Sequence, residues 1–152
     1  MADSAKTQEI LTLQASADTL YRVVADFEAY PKWMPEFSQV KVLERRSATL
    51  WIVQFSFKIL LKTIVYKLAV TLDPSARTIR WTLAQSDWMN RNEGGWLFEP
   101  LGDQSTRVTY DVALGVKVPL GGAIADKVSQ MLTGGTLPRT MQALEKRART
   151  LV

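Results

Sequence analysis

Two absences restrict the side chains available for chemistry, because the 152-residue chain contains neither histidine nor cysteine. Disulfides, thiolate nucleophiles and zinc sites with thiolate or imidazole ligands are therefore excluded. The side chain most often used for proton transfer near neutral pH is missing as well. Any catalysis would depend on Asp, Glu, Tyr, Lys, Arg or ordered water. We therefore predict no catalytic residue, no metal site and no cofactor.

A polar run at residues 87–93 (DWMNRNE) offers the clearest group of hydrogen-bonding side chains. One interpretation is that Arg91, helped by Asn90 or Glu93, reaches inward and holds a carbonyl or hydroxyl group of a ligand. A guanidinium suits this task because it stays charged and presents several donors. The alternative, which we favour, is a solvated hairpin turn before a strand.

Large aromatic residues are the second group, with five Trp, five Phe and four Tyr in the chain. Strand alternation predicts which of the large side chains point inward. Each of them alone is more simply explained as core, whereas the set as a whole could form the wall of an apolar pocket. The predicted inward positions are Phe55, Tyr66, Leu68, Trp81, Leu83, Trp96, Phe98, Tyr110 and Val112.

A loop bounded by Pro31 and Pro35 carries three further large side chains, Tyr30, Trp33 and Met34. They either fill the edge of a sheet as a plug or cover the mouth of a pocket as a gate. Methionine suits a gate because its unbranched, polarisable side chain adapts to varied shapes. Both alternatives remain open from the sequence.

The elements that position these groups follow from hydrophobic periodicity. Residues 7–14 read as an edge strand, and Ser16 is placed to cap a helix whose buried face is Leu20, Val23, Val24 and Phe27. From residue 38 to residue 117, about six strands alternate with short turns, which indicates an antiparallel meander.

The C-terminal region is predicted to be helical, with Ile124 and Val128 on the face that would complete the pocket. The Gly134-Gly135 pair and Pro138 interrupt this pattern, because glycine and proline both reduce helix stability. We expect either one long kinked helix or two abutting helices. A curved sheet around such a helix would form a single domain over residues 1–152 of the α+β class.

Net charge and hydropathy limit the kinds of partner and the cellular location that we expect. The net charge is +4, from 19 Lys and Arg against 15 Asp and Glu. This dispersed excess permits contact with an anionic surface but does not require it, and we expect no DNA partner. The chain has no run of about 18 apolar residues and no signal peptide, so we expect a cytoplasmic location.

Lys58 and Lys62 border an apolar tip that could touch a membrane, although an ordinary exposed turn is the simpler interpretation.

Several segments of the sequence resemble those of the START-like (SRPBCC) superfamily, in particular of its polyketide cyclase/dehydrase and coenzyme Q-binding proteins. The match is carried by Asp26, Glu28, Tyr30, Pro31 and Pro35 after the first helix, and by residues 92–103 (NEGGWLFEPLGD) with residues 105–110 (STRVTY). The resemblance implies a helix-grip fold similar to START and Bet v 1 proteins. About seven curved antiparallel strands would surround a long C-terminal helix and enclose a hydrophobic cavity.

The resemblance leaves three functions open. The first is a carrier or chaperone that binds a lipid, an isoprenoid quinone or a polyketide without catalysis. The second is a polyketide aromatase/cyclase, which would position a reactive poly-ketone and use Arg91, Tyr66, Tyr110 or water to move protons. The third is an interaction protein similar to a ribosome-associated toxin, which would dock through its basic face.

Overall fold

A computed structural model describes residues 4–59, 61–116 and 136–151. Seven strands form one antiparallel sheet in the order β1-β7-β6-β5-β4-β3-β2. Every neighbouring pair except β1 and β7 is consecutive in the chain, so the predicted meander is confirmed. The strands are β1 (Ser4–Leu13), β2 (Phe37–Arg45), β3 (Leu50–Ile59), β4 (Lys62–Asp73), β5 (Thr78–Ser86), β6 (Met89–Gly102) and β7 (Ser105–Val116).

Helix α1 (Ala17–Ala25) follows β1 and begins where the sequence predicts. The side chain of Ser16 accepts a hydrogen bond from the backbone N–H of Thr19 over 3.2 Å, which satisfies one free donor of the first turn. The helix ends at Ala25, earlier than expected, and the chain continues as a short 3₁₀ helix (Phe27–Lys32) that contains Pro31. The predicted face of Leu20, Val23, Val24 and Phe27 is buried across both segments.

The sheet is curved, and strand register decides which side chains point to its concave face. Trp96 lies opposite Tyr110 and Phe98 lies opposite Val108 across the β6–β7 ladder. On the other half of the sheet, Tyr66 lies opposite Phe55 across the β3–β4 ladder. Because alternate residues share a face, the nine side chains predicted to point inward all lie on this concave face.

The described C-terminal helix, α2 (Thr136–Thr150), packs against α1 and β1. Its buried residues Met141, Leu144 and Ala148 follow a helical spacing, and each is 0% exposed. The backbone N–H of Gln14 donates to Oε2 of Glu145 over 2.6 Å, which joins the helix to the end of β1. The predicted helix at residues 123–132 and the interruption at Gly134-Gly135 lie outside the described residues.

One predicted loop is a strand. The polar run at residues 87–93 was expected to be a turn, but β6 already begins at Met89 and pairs with β7 from Val116 onward. Polar residues disfavour strands only weakly when a neighbouring strand supplies backbone partners. The turn is reduced to Asp87 and Trp88, where the hydroxyl of Ser86 accepts hydrogen bonds from the N–H groups of Trp88 and Met89.

Replacing Leu144 with alanine is expected to lower the free energy of unfolding by about 2–5 kcal/mol, because it leaves a cavity between α2 and the rest of the core. Urea denaturation measures this change. Leu151, which is 53% exposed, provides a matched control, and Leu151→Ala should stay within about 0.5 kcal/mol of the parent. Equal effects of the two substitutions would show that α2 does not pack as described.

Candidate functional site

The concave face carries two groups of packed aromatic rings. In the first, the ring of Trp96 stacks on Tyr110 with centroids 4.0 Å apart and lies parallel to Phe98 at 5.8 Å. In the second, Tyr66 stacks on Phe55 at 5.3 Å. The two groups belong to opposite halves of the sheet, so a broad aromatic surface faces inward.

Three tyrosine hydroxyls lie within this apolar surface. The hydroxyl of Tyr30 donates to the backbone carbonyl of Val24 over 2.6 Å. Those of Tyr66 and Tyr110 make no hydrogen bond to any residue within the described ranges. Either hydroxyl can therefore pair with a ligand atom that accepts or donates a hydrogen bond.

The electrostatics of the tyrosines reflect their surroundings. Burial raises the pKa of Tyr110 to about 12, with a further contribution from the charge of Asp111. Burial also raises the pKa of Tyr66, and the neighbouring Tyr110 adds to that rise. Burial, followed by Tyr110 and Tyr66, raises the pKa of Tyr30. All three therefore stay protonated near neutral pH and can act as hydrogen-bond donors.

Asn92 is an inward polar residue that the sequence reading missed. Its side chain is buried, and its Oδ1 accepts a hydrogen bond from Nε1 of Trp81 over 2.9 Å. This bond fixes the amide so that Nδ2 is the donor, and among the described residues Nδ2 donates to the weak acceptor Sδ of Met89 at 3.7 Å. Alternation backward from Trp96 would have placed Asn92 inward, had the strand been recognised there.

Arg91 does not join these groups. It lies one position away from Asn92 and therefore on the opposite face, where its Nε pairs with Oε1 of Glu93 at 2.5 Å. A second ion pair, Arg80 with Asp111, lies beside it with Nη1 and Oδ1 2.8 Å apart. Both pairs line an open depression of about 450 Å³ on the convex side. The hypothesis of an inward Arg91 is therefore wrong, because β6 begins early and fixes the direction of its side chain.

The proline-bounded segment packs into the core. Tyr30 and Trp33 are buried and lie 5.4 Å apart in an edge-to-face contact, and Met34 is half-buried beside them. Nε1 of Trp33 is buried and has no hydrogen-bond partner within the described ranges. These contacts fit the plug interpretation, and the gate function stays a prediction.

The remaining predicted positions are apolar. Leu68 and Leu83 face each other across the β4–β5 ladder, and Val112 packs near Trp81 and Tyr110. Ile124 and Val128 lie outside the described residues. Whether any of these side chains contacts a ligand remains a prediction.

Within the described ranges there is no group of three acidic side chains placed to hold a metal ion. No helix among residues 4–59, 61–116 and 136–151 is long and apolar enough to cross a membrane.

This arrangement of a curved sheet and a C-terminal helix is the helix-grip fold of START and Bet v 1 proteins, so the predicted fold class is confirmed. Residues 13–137 match the family described as "Polyketide cyclase / dehydrase and lipid transport". The chain belongs to this family. A search of curated proteins finds no significant match.

Solved structures with the same fold include a START superfamily protein and two enzymes. A START superfamily protein from Mycobacterium smegmatis is 30% identical, with 97% of this chain and 99% of that chain covered and a TM-score of 0.78. The Zhui aromatase/cyclase from a Streptomyces species is 16% identical, with coverage of 96% and 94% and a TM-score of 0.80. Norcoclaurine synthase from Thalictrum flavum, in complex with dopamine and hydroxybenzaldehyde, is 17% identical, with coverage of 97% and 87% and a TM-score of 0.68. The two enzymes show likeness of fold alone.

The raised tyrosine pKa values predict how stability depends on pH. A folded-state pKa above the ordinary value of 10 stabilises the fold fully below pH 10, and this stabilisation is lost as pH rises toward 12. Tyr110→Phe should therefore lose less stability over this range than the parent, as measured by urea denaturation at each pH. Tyr21→Phe should have a smaller effect, because the pKa of Tyr21 is raised less than that of Tyr110. An unchanged pH dependence in Tyr110→Phe would contradict this assignment.

Proposed function

We propose that the protein binds a hydrophobic small molecule against the concave face, as a carrier or chaperone. The proposed ligand has an aromatic or quinonoid ring that carries carbonyl or hydroxyl groups. The observation that supports this most directly is a pair of hydroxyls, Tyr66 and Tyr110, which lie among stacked aromatic rings and have no hydrogen-bond partner among the described residues. A ring would stack on this wall while its oxygen atoms accept hydrogen bonds.

The energetics favour a ligand that combines an apolar body with a few acceptors. Burial of apolar surface contributes on the order of 25 cal/mol per Å², so the body alone supplies useful affinity. Each hydrogen bond from Tyr66, Tyr110 or Nδ2 of Asn92 would add about 0.5–1.5 kcal/mol and would distinguish an oxygenated ring from a hydrocarbon. An isoprenoid quinone, a polyketide or a lipid with a polar ring meets both requirements.

A second candidate function is that of a polyketide aromatase/cyclase. The observation that favours it is the presence of polar groups in the inner wall, since Tyr66, Tyr110 and Asn92 could each donate a hydrogen bond to a carbonyl oxygen. The family description names polyketide cyclases, which supports the same candidate. High tyrosine pKa values keep the hydroxyls protonated, so they suit hydrogen-bond donation to a carbonyl oxygen and do not suit proton transfer near neutral pH.

Binding of a naphthoquinone and of the naphthalene with the same ring size tests the proposal. Quenching of tryptophan fluorescence reports on binding, because Trp81 and Trp96 lie in the proposed wall. Tyr66→Phe and Tyr110→Phe should each weaken quinone binding about two- to tenfold, through the loss of one hydrogen bond. Naphthalene binding should change by less than about twofold.

Tyr21→Phe is the comparison variant, because it also removes a buried hydroxyl without a partner among the described residues, but one that belongs to α1 and not to the sheet. The ring of Tyr21 meets Phe98 edge-on, and the substitution keeps this ring. Tyr21→Phe should leave the affinity for both compounds unchanged. If neither compound binds, or if all three tyrosine variants behave alike, the proposal fails. Release of a cyclised product from a linear aromatic poly-ketone, with loss of rate in Tyr66→Phe or Tyr110→Phe, would favour the cyclase instead.

A further inference from the structure

Two hairpins meet at one end of the sheet and bring three exposed side chains next to Trp88, which is half-buried and packs against the core. The β3–β4 hairpin closes where Ile59 pairs with Lys62, and the β5–β6 hairpin turns at Asp87 and Trp88. Nζ of Lys62 lies 5.6 Å from the centre of the Trp88 ring, so the two hairpins are in contact. We call Lys58, Leu61, Lys62 and Trp88 the tip cluster.

The most exposed residue of the tip cluster is apolar, and the cluster also contains two exposed basic residues. Leu61 is fully exposed, with a relative accessibility of 104%, and is the most exposed large apolar side chain among the described residues. Lys58 and Lys62 are exposed, and neither forms an ion pair within the described ranges. Two acidic residues, Glu36 and Asp87, adjoin the cluster without pairing with these lysines.

The opposite end of the sheet provides an internal comparison. Leu101 projects from the β6–β7 turn and is 51% exposed, so it is also an apolar side chain at the end of a hairpin. Its neighbours in the chain are acidic, with Glu99 before it and Asp103 after it. Exposed leucine is thus present at both ends, but only the tip cluster combines it with basic residues and a tryptophan.

We infer that the tip cluster docks on the surface of an anionic lipid bilayer. Leucine inserts into the acyl boundary, tryptophan prefers the headgroup level, and lysine extends its apolar stem while its ammonium contacts anionic headgroups. Each lysine near such a surface contributes about a fivefold gain in partitioning. A basic and apolar tip fits a negatively charged bilayer better than it fits a neutral one.

Docking at this end would orient the proposed ligand site toward the bilayer. Tyr66 lies four residues beyond Lys62 on β4 and pairs with Ser86 of the second hairpin. The aromatic surface therefore begins directly behind the tip cluster. The inference deepens the proposed function by naming the source or destination of its ligand, and it rests on that function only in this respect.

Sedimentation of the ligand-free protein with lipid vesicles tests the inference. The parent should bind vesicles that contain phosphatidylglycerol and should bind pure phosphatidylcholine vesicles at least about tenfold more weakly. Leu61→Asp should reduce partitioning at least about tenfold, and so should the double variant Lys58→Glu with Lys62→Glu. Circular dichroism confirms that each variant is folded.

Two matched controls separate a specific surface from net charge. Leu101→Asp introduces the same change at the other end of the sheet, and Lys41→Glu with Lys146→Glu changes the net charge equally at two exposed sites elsewhere. Both controls should stay within about threefold of the parent if lysines far from the bilayer contribute little. Equal losses in controls and tip variants would overturn the inference, and so would absence of binding to anionic vesicles.

A nucleic-acid partner would give a different outcome from a lipid surface. Binding to ribosomal RNA, with no binding to vesicles, would overturn the inference in favour of a nucleic-acid surface. Because vesicle binding is measured without ligand, its failure leaves the fluorescence test of the proposed function intact. Conversely, a protein that binds vesicles but no quinone would retain the docking surface and lose the proposed ligand.

Discussion

The close approach of β6 to β7 at Gly94 is the constraint on which the concave face depends. A side chain at Gly94 would overlap the backbone carbonyl of Asp111 and crowd Cα of Val112, so only glycine permits this approach. The β5–β6 ladder ends at the same point, where Trp81 pairs with Gly94. Without a side chain at Gly94, the indole of Trp81 is free to reach Asn92, two residues further along the same face. The register that stacks Trp96 on Tyr110 follows from the same ladder.

The inner wall combines aromatic rings that stabilise the core with hydroxyl groups that have no hydrogen-bond partner among the described residues. Stacked rings such as Phe55 with Tyr66 stabilise the core through buried area and ring geometry. The hydroxyls of Tyr66 and Tyr110 add nothing to this stacking, and neither gains a hydrogen-bond partner in the described part of the chain. Phenylalanine at these positions would serve a purely structural core at least as well. Polar groups that violate local packing rules are expected where a protein meets its ligand.

Much of this fold follows from local sequence patterns, and the exceptions have physical causes. The cap at Ser16 and the strict alternation in β4 and β7 predicted both the elements and the inward faces. The start of β6 was missed because Asn90, Arg91 and Asn92 have low strand propensity, and only the partner strand β7 makes them extended. That single boundary moved Arg91 to the convex face and brought Asn92 inward. The absence of partners among the described residues for two tyrosine hydroxyls depends on packing in three dimensions, and no local pattern reports it.

The central claim is that the concave face holds an oxygenated apolar molecule. The most direct measurement is organic extraction of the gently purified protein, followed by mass spectrometry of what is released and by its quantitation against protein. The account predicts a single class of apolar compound with ring or headgroup oxygens, in an amount approaching one molecule per chain. Release of no such compound from folded protein, and no uptake of any when extracts of quinones, lipids and polyketides are offered back, would contradict it.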